Sequence, residues 1–155
     1  MSDNVIYSVR MRRGPDVVHY DLIVEEEGIR LRYLGEYWSH HRPRRGLQRS
    51  ADLLLYSINK RKNRRRDSGY DIRLDYCEIR SITLHRPRLI RRRLRRAGRL
   101  ETVEEAVNPR LVIVTRDGRR YELEAAAKVY ELLKTLLKRT AKPRLERCGA
   151  AFEVA

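Results

Sequence analysis

The chain has 155 residues, with 36 Lys+Arg against 21 Asp+Glu and a formal net charge of +15. That length supports one domain with a real core, taken here as 1–155. No apolar run reaches a membrane span, and the opening MSDNVIYSVRMRRG lacks the apolar core of a signal peptide, so a cytoplasmic protein is expected. Thirty of the basic residues are Arg and six are Lys. Arg offers a planar fork of donors for phosphates and stacks on bases, although a GC-rich coding bias inflates Arg as well. One Gln, Gln48, and two Met fit a heat-adapted source.

In chain order, Val5 to Met11 alternates weakly and reads as a short strand ended by Gly14-Pro15. Val17 to Val24 and Ile29 to Leu34 form a hairpin around Glu25-Glu26-Glu27-Gly28. A four-residue loop sets Val24 opposite Ile29, Leu22 opposite Leu31 and Tyr20 opposite Tyr33, which puts apolar pairs on one face. His19, Asp21, Arg30 and Arg32 then point outward. Gly35 to Ser50 is a loop of basic and aromatic residues. Ala51 to Asn59 is a strand, with a short helix as the other reading, and KRKNRRRD at 60–67 is a basic loop. Tyr70 to Tyr76 alternates, and Ile79 to His85 continues as a strand with Ile82 and Leu84 inward.

Residues 86–108 read as a basic helical insertion. Ile90, Leu94 and Ala97 fall at i, i+4 and i+7, and Gly98 ends that helix. A second helical stretch, LETVEEAVNP, follows. Leu111 to Glu124 is the second hairpin, organised by Asp117-Gly118, a dipeptide suited to a type I′ turn. A two-residue turn sets Val114 opposite Tyr121 and Val112 opposite Leu123. A helix at 124–139 buries a stripe of Ala126, Val129, Tyr130, Leu133, Leu136 and Leu137. The tail from 140 to 155 is short and basic. Cys77 and Cys148 match no metal spacing. Cys77 reads as a buried thiol, with a disulfide to the tail as the alternative.

The expected fold is α+β: a strongly bent antiparallel sheet or partly open barrel of about seven strands, capped by one C-terminal amphipathic helix, with a core over about 17–139. DIRLDYCEIRSITL, and RLVIVTRDGRRYELE with the helix after it, resemble segments of the GRAM and bacterial PH-type domains of the pleckstrin-homology-like superfold. The resemblance implies a binding scaffold and no particular ligand. Lipid-binding members hold an inositol phosphate with a basic first loop. Here that loop is Glu25-Glu26-Glu27, unless 5–11 is the first strand and Arg10, Arg12 and Arg13 serve instead.

No catalytic constellation is present. His40-His41 is adjacent rather than at i, i+4, so it cannot set two imidazoles on one helix face for zinc. No phosphate loop occurs, and no metal or cofactor is expected. The positive charge is clustered: 42–49, 60–66 and 86–99 hold 18 of the 36 basic residues. The expected function is a non-enzymatic module for RNA or DNA that grips the backbone. Its contacts would be Arg42, Arg44, Arg45, Arg61, Arg64, Arg65, Arg66, Arg91, Arg92, Arg93, Arg95 and Arg96, with Tyr37 and Trp38 for stacking. The alternative is a PH-like module for an anionic membrane surface or a partner protein.

Overall fold

The computed structural model describes residues 4–37 and 70–155. Ten strands occur among them: β1 Val5–Arg13, β2 Asp16–Val24, β3 Gly28–Tyr37, β4 Ile72–Asp75, β5 Ile79–His85, β6 Arg88–Arg96, β7 Arg99–Val107, β8 Arg110–Thr115, β9 Arg120–Glu124 and β10 Ala151–Val154. Eight of them form one sheet in the order β10-β5-β8-β9-β1-β2-β3-β4, and β6 and β7 form a separate two-stranded sheet. Every pairing is antiparallel except β10 with β5. The count therefore exceeds the seven expected, and the fold is α+β with an unclosed sheet. The strand or helix expected at 51–59 and the loop at 60–67 lie outside the described residues.

β4 is one edge of the sheet, and β5 is next to the other. Only the 3-10 turn Tyr76–Glu78 joins them. A link that short cannot cross a flat eight-stranded sheet, so the sheet curls until its two ends nearly meet. The inner face then encloses Tyr20, Leu22, Leu31, Ile82, Leu84, Leu111 and Ile113. Tyr76 sits at this seam, where its hydroxyl donates to the Glu25 carbonyl at 2.5 Å. Burial, more than the opposing pulls of Arg144 and Glu25, pushes its phenol from 10.0 up to about 12. The folded state thus keeps a proton that the unfolded chain loses near pH 10. The stability this contributes is whole below pH 10 and is lost as pH rises through about 12. The unfolding free energy from urea titration is expected to fall across that window, by no more than about 1.4 kcal/mol per pH unit from this group. Tyr76→Phe should remove that part of the slope.

The β2–β3 register is the expected one, with Val24, Leu22 and Tyr20 opposite Ile29, Leu31 and Tyr33. β2 is buried on both faces, however, so His19 and Asp21 are buried instead of facing water. β1 changes phase at Ser8, whose φ is 60°, so Ile6, Val9 and Met11 point inward.

The β8–β9 hairpin departs from expectation by one residue. Gly118 donates to the Thr115 carbonyl at 3.1 Å, and Thr115 donates to Arg119 at 2.9 Å. The loop is therefore three residues long, with Gly118 (φ 90°) in the left-handed region. Leu111 now faces Leu123, and Ile113 faces Tyr121. Asp117 accepts from the Thr115 hydroxyl and from Arg119. Those two bonds, the hydroxyl first, hold its carboxyl below the usual range.

The C-terminal helix runs further than 139. A 3-10 turn at Ala127–Val129 leads into α1 (Tyr130–Leu136), a π-helical turn (Leu137–Ala141) and α2 (Lys142–Arg147). Pro143 lacks the N–H for residue 139, and its ring crowds that carbonyl. The widened turn just before it lets the helix continue. Tyr130, Leu133, Leu136 and Leu137 are buried as the stripe requires, followed by Ala141 and Leu145; Ala126 is exposed. The chain then turns back, and β10 adds to β5. Cys77 is exposed and bonded to Cys148, which replaces the buried-thiol reading. The Arg116 side chain donates to the carbonyls of both cysteines. No helix among the described residues is long and apolar enough to cross a membrane.

Candidate nucleic-acid interface

The segment 86–108 is not a helix. It is the β6–β7 hairpin, with Arg88 opposite Val107 at the base and Arg96 opposite Arg99 at the tip. A helix would stack Arg88 on Arg92, Arg91 on Arg95 and Arg92 on Arg96, all repulsive i, i+4 pairs. The hairpin instead sets Arg91 against Glu104, Arg93 against Thr102 and Arg95 against Leu100. Ala97 (φ 51°) and Gly98 (φ 78°) form the two-residue turn, both at positive φ as a type I′ turn needs. Ala pays about 1 kcal/mol for that conformation. Ala97→Asn is expected to tighten the hairpin by up to about that amount, read as slower amide exchange along β6 and β7.

Nine paired residues make an arm about 30 Å long. It continues β5 and returns into β8, and none of the other described elements packs extensively against it. Its base is anchored where Asn108 donates to Glu124 at 2.7 Å and Ala125 donates to the Pro109 carbonyl at 3.1 Å. The arm carries seven arginines and three glutamates. Arg91 pairs with Glu104 and Arg92 with Glu105, each at 3.3 Å. Arg88, Arg93, Arg95, Arg96 and Arg99 have no ion pair among the described residues, and four of these five lie in the outer half. Leu89 and Leu100, 71% and 66% exposed, add apolar surface.

A second group of arginines follows on the body. The register aligns Arg10 of β1, Glu124 of β9, Arg110 of β8 and His85 of β5 in one row beside the arm's base. From there β1 and β9 separate: they pair only at Arg10–Glu124 and Met11–Leu123. The gap between them is a cleft of about 560 Å³ with Arg10, Arg12, Arg13, Arg110 and Arg120 at its walls. Glu124 holds Arg10 at 2.8 Å, and Glu122 holds Arg120 at 2.9 Å and Arg110 at 3.9 Å. Arg12 and Arg13 keep no carboxylate partner among the described residues. No family model and no curated protein matches this sequence.

The structure therefore places five of the expected contacts, Arg91, Arg92, Arg93, Arg95 and Arg96, on the arm. Two of these are committed to glutamates. Tyr37 ends β3 opposite Val17, which is itself opposite Arg12, so its backbone is level with the cleft. Trp38, Arg42, Arg44, Arg45, Arg61, Arg64, Arg65 and Arg66 lie outside the described residues. Arg99, Arg110 and Arg120 were not among the expected contacts. Arg99 falls in the basic cluster 86–99 already evident in the sequence, whereas Arg110 and Arg120 join a cationic path only through strand register. No group of three His, Cys, Asp or Glu that could hold a metal occurs among the described residues.

Proposed function

We propose that this protein is a non-enzymatic nucleic-acid-binding module that grips the phosphate backbone with its arm and with the arginines beside it. The observation that carries this reading is the set of unpaired guanidinium groups on a projecting element. Cations left without carboxylates on an exposed arm repel one another, and a polyanion relieves that repulsion along the arm's whole length. The path from the arm's base to Arg13 extends that surface onto the body. The scaffold reading is a PH-like one. It is supported by the antiparallel run β4-β3-β2-β1-β9-β8-β5 with the C-terminal helix behind it, once the arm and β10 are set aside.

A second reading, binding of an anionic lipid headgroup, is favoured by the cleft at Arg10, Arg12 and Arg13, which is roomy enough for a compact anion. The two readings separate in one comparison. Fluorescence anisotropy with labelled nucleic acid is set beside flotation with phosphatidylserine vesicles. The nucleic-acid reading expects binding that arm substitutions weaken. The headgroup reading expects flotation that Arg12→Gln with Arg13→Gln abolishes and that arm substitutions spare.

A further inference from the structure

The arm's two faces say which form of nucleic acid it fits, an inference that rests on the proposed function. Cross-strand partners share a face of a β-ribbon. Arg96 and Arg99 at the tip therefore lie on one face, with Arg88 at the base. Arg93 and Arg95 lie on the other. A ribbon lying flat on a backbone uses one face and leaves the opposite arginines in water. A ribbon standing on edge in a groove presents each face to one of the two phosphate walls.

Size decides which groove. Stacked sheets pack about 10 Å apart, so a ribbon with the stems of its side chains takes up about that width. The major groove of B-form DNA is about 12 Å wide and admits a two-stranded ribbon, whereas its minor groove is about 6 Å wide. In A-form RNA the major groove is too narrow, and the minor groove is too shallow to enclose two faces. Single strands are held largely by bases stacking on aromatic rings, and no aromatic residue occurs between 88 and 107. A second copy of the arm is excluded as occupant by charge, since seven arginines against three glutamates would meet the same excess.

We infer that the β6–β7 arm inserts on edge into the major groove of duplex DNA, with its two arginine faces held by the phosphates of opposite strands. The apolar side chains between the arginines line the same two walls, and a strand edge faces the groove floor. An arm of this length follows about nine base pairs.

The test uses the full chain with a 20-base-pair DNA duplex, an RNA duplex of the same sequence, and the separate strands, all at one salt concentration. The expected result is at least tenfold tighter binding to the DNA duplex than to any other probe. Dimethyl sulfate should find guanine N7 protected, and adenine N3 left reactive. Two variants report on the faces, Arg93→Gln with Arg95→Gln and Arg96→Gln with Arg99→Gln. Each should lower the magnitude of the log–log salt slope by about 2. Equal binding to the RNA duplex, protection at adenine N3, or one silent face overturns the groove assignment and leaves the proposed function standing. Failure of the chain to bind any of these probes overturns both.

Discussion

Replacing Arg93, Arg95, Arg96 and Arg99 together with Gln is expected to weaken nucleic-acid binding about a hundredfold or more. The same change should flatten the log–log salt slope by between 3 and 4, since each lost phosphate contact removes about 0.9. Folding should be unaffected. The arm has its own two-stranded sheet, and its arginines contribute nothing to the core. Thermal unfolding should move by no more than surface substitutions usually cause, about 0.5 kcal/mol. Arg91→Gln with Arg92→Gln is the informative contrast. Those two side chains already face Glu104 and Glu105, so their loss should cost binding less than loss of the tip pair Arg96 and Arg99. Equal losses from the two pairs would mean that general charge, rather than the unpaired tip, governs binding.

The second large effect concerns stability. The Cys77–Cys148 disulfide joins residues 71 apart, tying the seam between β4 and β5 to the end of α2. Closing a loop of that length restricts the unfolded chain enough to stabilise the fold by about 4 kcal/mol. The double substitution Cys77→Ser and Cys148→Ser, or full reduction, should therefore lower Tm by about 10 °C in a domain of this size. A second fastening shares the load, because Arg116 donates to both cysteine carbonyls. Arg116→Ala in the reduced protein should lower Tm further. An unchanged Tm on reduction would contradict this account of the seam.

Much of the body was legible in the sequence. The β2–β3 register could be read because apolar residues pair on one face only if the loop is Glu25 to Gly28. The helix stripe from Val129 to Leu137 could be read because its spacing fits period 3.6 and nothing else. The β8–β9 hairpin was legible as a hairpin but not in register. Asp117-Gly118 serves a two-residue turn and a three-residue turn equally well, and only the Thr115 bonds decide between them. Such a slip by one residue exchanges which side chains face the core, here bringing Leu111 and Ile113 inward.

The arm was misread for a different reason. Ile90 and Leu94 are four apart, a spacing that places two residues on the same side of a helix and also on the same side of a strand. Charge was the better guide. Arginines at i, i+4 oppose a helix, and the order of residues around Ala97-Gly98 mirrors Arg91 onto Glu104. The disulfide was legible only as the alternative to a buried thiol, because it depends on where α2 ends relative to the β4–β5 link. The body's cationic path was equally hidden: Arg10 is far in the chain from Arg110 and Arg120 and meets them through β9.

Unpaired arginines on the arm should bind a polyanion by displacing its counterions, the central claim about this protein. The most direct measurement is the affinity of the full chain for a DNA duplex between 50 and 300 mM salt. Neutralising about six phosphates predicts a straight log–log plot with a slope near about −5. A slope near zero, or no measurable binding at the lowest salt, would contradict it.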